Sequence, residues 1–552
     1  MSRSLLTTML APAGVGLLAG ALPLVGIAQT AAQNSGQSSA QSAAVANPRF
    51  DILEFRIEGN TVLDVPRIER AVYAFMGERR SVDDVEYARA ALETAYRDAG
   101  YGTVAVDTPE QRVDGGVVLL QVREAPVSRL RVIGARFYSQ GRILEKVPGL
   151  AEGRVPNFKE VTSQLASVNT GADRRVTPLL RPGKEAGTTE VDLNVEDRLP
   201  LHGSVRLTNH HSEFTTASRL DASLRYDNLW QREHSLSLQL QVSPQKTAEV
   251  GVISASYTVP AVGGPWIFSA LRSDSTVPTA VVDNRVAGKG TMFGLRRNLL
   301  LDSSATSYQS LSLGVDYKDF KQVVGSAIGA EADTGVSSPI RYLPFSANWL
   351  AIFSDADGRW QAGAGLTFAV RRLASSERLF EDKRFGGQGN FAVVRGDLSR
   401  ELKLPGERGL TLFGKVEAQL ANQPLIGNEQ FVAGGASSVR GYLESAAVGD
   451  NALRASLELR SAPLLTGRWP QLDQVQLQAF VEGATLRLRM PLPGQVAQTD
   501  LLGAGFGLRA SVKPGFSIAL DAAWPLLELR AGERIAQKAY RPRLHASGAF
   551  EF

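Results

Sequence analysis

From Leu201 to Phe552, apolar and polar residues alternate along long segments that are separated by stretches rich in Gly, Pro, Asn, Asp and Ser. The pattern is clear at 236–242, 453–460 and 474–482, where one face is apolar and the other polar or charged. Each segment has about 10 residues or more, which is the length that a tilted strand needs to cross a bilayer. Counting them gives about 16, and even strand numbers are the rule in bacterial barrels. We therefore predict a 16-stranded antiparallel transmembrane β-barrel over 199–552.

A soluble β-sandwich and a large propeller are the alternatives for this region. Sandwich strands are shorter, and a propeller should repeat a blade motif, but neither feature is found. The polar and often charged inner face suits a water-filled lumen better than a packed sandwich core. The pattern therefore favours the barrel.

The first 28 residues have the composition of a secretory signal peptide. Arg3 precedes an apolar stretch rich in Gly, Ala and Leu, and small residues near Ala28 provide cleavage sites. A single anchoring helix is the alternative, since the stretch is nearly long enough to span a bilayer. Pro12, Pro23 and several glycines disfavour a permanent helix. Residues 29–48 are rich in Gln, Ser and Ala and are predicted to form a flexible linker.

Two α+β modules are predicted between the linker and the barrel. In the first, at 49–124, a strand is followed by a helix from Val65 to Met76, a second helix after Ser81, and two strands. The order is therefore β-α-α-β-β. Ser81 has the position of an N-cap with an acid three residues later, Asp84.

The second module, at 125–198, repeats this pattern. The segment 130–134 resembles 55–59, and a helix at 159–165 is followed by two further strands. We infer an internal duplication of one small module.

Composition and motifs exclude several classes of function. The net charge of +4 gives no reason to invoke nucleic acid, and the absence of cysteine excludes disulfides, thiolate metal sites and a thiol nucleophile. Motifs of serine hydrolases, zinc proteases and phosphate-binding loops are missing. His210 and His211 are adjacent, so in a strand they point to opposite faces, and a periplasmic rim or turn explains them better than a metal site. We predict no enzymatic activity, no cofactor and no metal.

The longest connection of the predicted barrel runs through 421–451 and carries the sequence Val439, Arg440, Gly441, Tyr442. A long loop in a compact domain is usually functional or disordered. Glycines on both sides of the arginine predict a tight, folded tip.

A tip that carries a permanent charge into a lumen needs a carboxylate partner. Alternation places Glu482 and Asp521 on the lumen face of two later strands, so both are candidates. Taken alone, Arg440 is more often a solvated loop arginine. At the C-terminus, Phe550 and Phe552 are two residues apart on the outward face, where aromatics lie at the membrane interface and close the last strand.

Several short motifs resemble, in order, those of the two-partner secretion transporters (the TpsB class), which are related to the barrel-insertion superfamily that includes BamA. Segments 55–63 and 173–193 resemble the start of one POTRA module and the end of a second. Segment 226–230 is similar to an early barrel strand of the class, and 439–442 matches the tip of its signature loop. Each motif is weak alone, but their order and places over nearly the whole chain after the linker are specific.

The resemblance implies a function and a site. In the family the loop folds back into the lumen and its arginine bonds a strand acid, which here corresponds to Glu482, with Asp521 as a second lumen acid. Gly483 directly follows Glu482, so the glycine spacing departs from the family pattern. The second module, Val127 to Asp197, is expected to receive the cargo in its groove. Family members often have an N-terminal plug helix, for which the linker here has no obvious candidate.

The implied cargo is an unfolded exoprotein, adhesin- or hemolysin-like, with an N-terminal secretion domain. The expected location is the outer membrane of a Gram-negative bacterium, with the modules in the periplasm, outer-membrane lipids around the barrel, and the barrel-assembly machinery as a partner in biogenesis. We expect a monomer. A barrel-assembly factor and a passive pore are the alternatives, but the former usually has more modules and porins lack both the modules and the loop motif.

Overall fold

The computed structural model describes residues 49–552 except 214, 282–283, 324–336, 407–408 and 466–469. The predicted signal peptide (1–28) and linker (29–48) lie outside the described residues. The chain divides into two units, one that ends at Leu199 and one from Pro200 to Phe552. Among the described residues, no helix combines the length and the apolar composition needed to cross a membrane.

The first unit begins with an α/β module. Its elements are β1 (Phe50–Ile52), β2 (Glu54–Glu58), α1 (Val65–Val72), β3 (Gly77–Arg80), α2 (Val82–Ala99), β4 (Ala105–Asp107) and β5 (Val117–Arg123). Strands β2, β5 and β4 form a sheet in that order, and β2 runs parallel to β5. The predicted order of main elements is therefore observed, with an additional β1–β3 pair. The first helix ends before the predicted Met76, because Tyr73–Phe75 form a 3-10 turn.

Helix α2 shows how local sequence sets the ends of an element. The Ser81 hydroxyl accepts from the Asp84 amide, and the Asp84 carboxylate accepts from the Ser81 amide at 2.8 Å, which forms a capping box. Gly100 ends the helix with φ 106°, a conformation that favours glycine. Between these ends Leu92 and Tyr96 are buried on one face, which packs against the sheet.

The second α/β module has the same order. It consists of β6 (Val127–Ile133), α3 (Gln140–Glu145), α4 (Phe158–Val168), β7 (Arg174–Pro182) and β8 (Thr189–Asp197). The sheet order is β6–β8–β7, with β6 parallel to β8. The short helix α3 was not predicted, because its six residues begin with Gln and Gly and are too few for an apolar period.

The two modules are joined where α2 ends and α4 begins. Asn157 caps α4 through the amides of Lys159 and Glu160, and its Nδ2 also donates to the Ala99 carbonyl at 3.1 Å. The Phe158 amide donates to the Gly100 carbonyl at 2.8 Å. The N-terminus of one helix therefore rests on the C-terminus of the other.

The second unit is a barrel that sixteen of the described strands close in an antiparallel arrangement. The elements are β9 (Leu201–Thr208), β10 (Arg219–Leu229), β11 (His234–Val242), β12 (Gly251–Val259), β13 (Trp266–Val281), β14 (Asn284–Ser303), β15 (Ser307–Val323), β16 (Ser337–Ser354), β17 (Gly358–Ala374), α5 (Glu377–Lys383), β18 (Ala392–Lys403), β19 (Thr411–Ala421), β20 (Phe431–Ala433), β21 (Ala447–Gly449), β22 (Asn451–Arg460), β23 (Leu472–Arg487), β24 (Gln498–Val512), β25 (Phe516–Pro525), β26 (Leu529–Ala531), β27 (Arg534–Gln537) and β28 (Arg543–Glu551). Strands β20 and β21 form a hairpin apart from the wall, as do β26 and β27.

The alternation that predicted the barrel is the alternation of its two faces. On β23, Leu477 and Val481 are exposed on the outside, whereas Gln478 and Glu482 are buried on the inside. The predicted fold class, α/β modules followed by a closed 16-stranded antiparallel barrel, is confirmed. Short turns such as 230–233 and 513–515 lie at one end, and the longest connections, 375–391, 422–450 and 526–542, lie at the other, which is external in bacterial barrels.

The barrel closes between its first and last strands. β28 pairs antiparallel with β9, and the N–H and C=O of Phe552 each bond Gly203 at 3.0 Å, one residue beyond the end of β28. The rings of Phe550 and Phe552 lie 6.2 Å apart and are both exposed. Phe552 thus extends the hydrogen-bonded seam between β28 and β9 by one residue.

Candidate functional site

The connection between β19 and β22, here called the inner loop (residues 422–450), is buried along most of its length. Leu425, Ala433, Val439, Arg440 and Tyr442 are each at most 3% exposed. The loop folds on itself through the β20–β21 hairpin. It therefore occupies the interior of the barrel and does not extend into solvent.

Arg440, at the tip of the inner loop, is surrounded by acids from the barrel wall. Its Nε donates to Oε2 of Glu482 at 3.0 Å and its Nη2 to Oε1 at 2.6 Å, while its backbone amide donates to Glu482 Oε2 at 2.8 Å. Nη2 also bonds Glu458, and Nη1 lies 3.5 Å from Oδ1 of Asp521. The guanidinium carbon lies 3.4 Å from the centroid of the Phe480 ring. Glu482 and Asp521 are the lumen acids predicted from the sequence, and the structure brings both to Arg440.

Two wall arginines balance the remaining charge of these acids. Arg460 bonds Glu458 at 2.6 Å, and Arg509 bonds Asp521 at 2.7 Å. Together with Arg440 they provide three guanidiniums for three carboxylates, so the cluster carries no net charge. Buried charges are tolerated when each is paired and hydrogen-bonded in this way.

Glu458 and Phe480 were not identified from the sequence. Glu458 lies on the lumen face of β22 and Phe480 on that of β23, two residues before Glu482. Alternation would have placed both on the inner face, but it does not reveal how far along a strand the loop tip reaches. That position depends on the register between β22 and β23, in which Ser456 lies opposite Glu482.

Strand β24 makes room for the tip with three successive glycines on its inner face, Gly503, Gly505 and Gly507. A Cβ added to Gly503 would lie 2.1 Å from the carbonyl oxygen of Arg440, and one added to Gly507 would lie 2.1 Å from Oδ1 of Asp521. Gly505, between them, is equally crowded. Three glycines at alternate positions of a strand are a sequence signal for close approach that was overlooked.

The residues on either side of Arg440 are also held by the wall. The Gly441 amide donates to Nε2 of His545 at 3.1 Å, and its carbonyl accepts from Gln537 at 2.6 Å. Gly441 has φ 96°, which favours glycine. The Tyr442 hydroxyl donates to the Leu527 carbonyl at 2.8 Å. Each of these contacts fixes the loop tip relative to the β25–β28 side of the barrel.

The histidine pair does not lie in a periplasmic turn, contrary to prediction. Strand β9 starts at the end of the barrel that has the short turns and runs to Thr208 at the opposite end. The pair follows Thr208 and therefore lies in a connection at the end with the longer loops. The His210 ring stands edge-on to that of His545 at 6.0 Å, and Nδ1 of His211 bonds the Asn209 carbonyl at 2.9 Å.

Two family models match the chain. The model described as haemolysin secretion/activation protein ShlB/FhaC/HecB matches residues 187–510, and the model of the ShlB-type POTRA domain matches 50–125. The chain belongs to this family. It is a two-partner secretion transporter of the outer membrane, not an enzyme, and the family secretes partner exoproteins. The predicted class, function and location are thereby confirmed.

Individual relatives agree with this assignment. The chain is 21% identical over 477 residues to the outer membrane transporter CdiB of Dickeya dadantii, covering 80% of this chain and 77% of that protein. It is 27% identical over 188 residues to CdiB of an Escherichia coli strain, covering 34% of this chain and 32% of that protein.

Solved structures show the same fold. CdiB from Escherichia coli has a TM-score of 0.58 at 20% identity, with 93% of each chain covered. BamA from Haemophilus ducreyi lacking POTRA domains 1–3 has a TM-score of 0.55 at 16% identity, with 91% of this chain and 100% of that chain covered. At these identities the likeness concerns the fold alone.

Proposed function

We propose that this transporter exports one unfolded exoprotein that carries an N-terminal secretion domain, and that Arg440 holds the inner loop as a gate or brace during export. The observation that carries the proposal is the buried Arg440 cluster inside the barrel. The periplasm supplies no ATP, and an open pore holds no ion gradient. Export therefore draws on folding of the cargo outside the cell.

The chain organisation that we propose has a signal peptide at 1–28, a linker at 29–48, POTRA modules at 49–124 and 125–198, and the barrel at 199–552. The transporter acts as a monomer in outer-membrane lipid. The barrel-assembly machinery inserts it and recognises its C-terminal end at Phe550 and Phe552, whose exposed rings support this role.

The second module, Val127 to Asp197, is the proposed receiver of the cargo. Strand β8 is central in its sheet, so β6 and β7 are the two edges at which an extended chain can add by main-chain hydrogen bonds. The start of the β6 edge is occupied, because Val127 bonds the backbone of Gly153 and Arg154 at 2.7 and 2.8 Å and the Leu130 amide donates to the Glu152 side chain at 3.2 Å. The next amide on this edge belongs to Val132.

The β7 edge is protected against strand addition. The N–H and C=O of Val176 both bond the Asn169 side chain, at 2.7 and 2.9 Å. Alternation puts residues 178, 180 and 182 on the same edge, and two of them, Pro178 and Pro182, have no N–H. Prolines of this kind block edge pairing. The contrast supports β6 as the strand that receives the cargo.

A pair of proline substitutions in the full-length protein tests the receiver. Val132→Pro removes an edge amide of β6 without removing a ladder bond to β8. Leu180→Pro is the matched control, since it also replaces a half-buried residue at an edge, but at the protected β7 edge. We expect Val132→Pro to lower secretion by about tenfold, the effect of one or two lost hydrogen bonds, and Leu180→Pro to leave it near the wild-type level.

The cargo for this assay is found by deleting the gene and comparing the secreted proteins; a large, repeat-rich exoprotein encoded next to it is expected to disappear from the medium. An unchanged set of secreted proteins would contradict the export function. Equal secretion by Val132→Pro and Leu180→Pro, with both proteins present in the outer membrane, would contradict the role of β6 only.

A further inference from the structure

The first limb of the inner loop (residues 422–430, before β20) is held at a site separate from Arg440. At this site the loop provides the anion and the wall the cation, the reverse of the arrangement at the tip. Glu429 is 3% exposed and faces the wall formed by β15 and β16. Its Oε1 accepts from Nζ of Lys318 at 2.6 Å and from the hydroxyl of Tyr342 at 2.8 Å. Lys318 and Tyr342 lie directly opposite each other in the β15–β16 register. Two neighbouring strands therefore present one cation and one hydroxyl to a single loop carboxylate.

The backbone around Glu429 is also bonded to the wall. Arg395 donates to the Glu429 carbonyl at 3.1 Å, and Nε2 of Gln419 lies 3.3 Å from the same oxygen and 3.0 Å from the Asp450 carbonyl. The Asp450 carboxylate accepts from the Leu425 amide at 3.0 Å. These bonds attach the inner loop to β18 and β19 and join its start to its end.

An apolar cluster lies beside this site and inside the barrel. Its wall members come from β12 to β19, and the inner loop and the connection that holds α5 add to it. The members are Val252, Leu271, Met292, Phe320, Ile340, Tyr342, Ala369, Phe380, Phe391, Val393, Ala421, Leu425 and Ile426. The Tyr342 ring contacts those of Phe380 and Phe391 edge-on, each at 5.9 Å. Tyr342 thus belongs both to the apolar cluster and to the Glu429 site.

An apolar layer inside a barrel has a physical consequence. The lumen of a water-filled pore is polar, whereas an apolar constriction excludes water and closes a channel by dewetting. Leu425 and Ile426 reach this layer only while the first limb stays against the wall. The position of the limb is set by Glu429, because a buried carboxylate cannot leave its cation without a large penalty.

We propose that Glu429, Lys318 and Tyr342 are positioning residues that lock the first limb of the inner loop, so that Leu425 and Ile426 complete an apolar seal of the lumen. The lock works separately from Arg440 at the loop tip. The inference deepens the proposed gating role of the inner loop, but it concerns the position of the first limb and not secretion as such.

The absence of cysteine allows thiol labelling to report the position of the limb. Ile426→Cys places a thiol in the buried cluster, where a maleimide reagent is excluded while the seal is closed. Gly427→Cys is the control thiol, since Gly427 is exposed and has open space for a side chain. The full-length protein is labelled in detergent, with and without Lys318→Met.

We expect Lys318→Met to raise the labelling rate of Ile426→Cys by at least roughly tenfold, because it leaves Glu429 charged and unpaired. The rate of Gly427→Cys should not change. Lys318→Arg keeps the charge and should restore protection. The matched control is Arg296→Met, which removes a lumen ion pair with Asp316 at 3.0 Å on β14 and β15 that involves no loop residue. It should leave Ile426→Cys protected.

Planar-bilayer conductance of the cysteine-free variants is the second measurement. Lys318→Met should increase the open fraction by roughly tenfold, and Arg296→Met should match the wild type. Should Lys318→Met fail to fold, Glu429→Gln, which keeps the shape of the side chain, takes its place in both assays. If Lys318→Met, or Glu429→Gln in its place, shows the labelling rate and conductance of Arg296→Met, the lock is refuted. Loss of secretion is not scored, so this result stays distinguishable from failure of the proposed export function.

Discussion

The two attachment sites of the inner loop are opposite in charge and differ in the number of charged partners. At the tip, the loop brings a cation, Arg440, to a wall that provides Glu458, Glu482 and Asp521. At the first limb it brings an anion, Glu429, to a wall that provides Lys318. At the tip, three arginines and three acids form a cluster without net charge, whereas the limb site consists of one carboxylate, one cation and one hydroxyl. An apolar cluster borders each of the two sites.

The difference in charge between the two sites determines the orientation in which the inner loop can bind inside the barrel. A reversed or shifted loop would place Arg440 near Lys318 or Glu429 near acids, and buried like charges are strongly unfavourable. The opposite charges therefore specify one orientation of the loop across the barrel. The ion pairs position the loop, and the apolar clusters beside them exclude water.

The largest effect is expected from Arg440→Ala, which leaves three buried carboxylates with two arginines. Removing one partner of a buried pair costs about 3–5 kcal/mol, so the tip should leave its site and secretion should be abolished. Heat-modifiable mobility of the outer-membrane fraction should show a folded barrel. Arg454→Ala is the control, because Arg454 is a buried lumen arginine that pairs with Glu417 of the wall at 2.7 Å. Wild-type secretion by Arg440→Ala would refute the role of the tip.

A smaller effect should follow from Glu482→Gln, which keeps the shape of the side chain but removes its charge. Glu482 accepts three bonds from Arg440, and a hydrogen bond to a charged group contributes about 1.5–3 kcal/mol. Glu458→Gln should reduce secretion less, because Glu458 shares its charge with Arg460. The ranking in a quantitative secretion assay checks this. A larger loss for Glu458→Gln would mean that the wall arginine, and not the loop, depends on these acids.

Gly503→Ala tests whether the bare face of β24 is needed for the tip. The new Cβ would meet the Arg440 carbonyl at 2.1 Å, and overpacking of this kind costs about 1–3 kcal/mol. Gly414→Ala is the control, since its nearest neighbour, a Leu457 methyl, is 3.8 Å away. Gly503→Ala should have a lower urea midpoint of unfolding and lower secretion than Gly414→Ala. Equal values would show that the tip can shift without loss.

The smallest effect is expected from Tyr342→Phe, which removes one of two donors to Glu429 and leaves the ring in the apolar cluster. A bond to a charged group contributes about 1.5 kcal/mol at the low end of its range, and Lys318 still pairs with Glu429. Protection of Ile426→Cys should therefore weaken but remain above that in Lys318→Met. Tyr317→Phe on the outward face is the control. Protection lost as fully as in Lys318→Met would show that the hydroxyl, and not the ion pair, holds the limb.

Some residues of the two sites could be predicted from the sequence, and others could not. Alternation assigned Glu482 and Asp521 to the lumen face, and the glycines near Arg440 predicted a folded tip, since both signals are local. Glu429 carried no such signal: it lies in a connection without a period, and its partners, Lys318 and Tyr342, are 111 and 87 residues away. The helix α3 was missed because six residues are too few to show a period.

The sequence alone determined that strands would form a barrel with two distinct faces, since each side chain is assigned to a face by its parity along the strand. It also determined the order of modules and the residues able to carry charge. The apolar cluster on part of the inner face became visible only in the closed barrel. Only the tertiary structure decided which charges meet. Register between strands sets the depth of each residue in the lumen, and the path of the inner loop sets which wall Arg440 and Glu429 each reach. Both are properties of the closed barrel, because they depend on contacts between residues that are far apart in the chain.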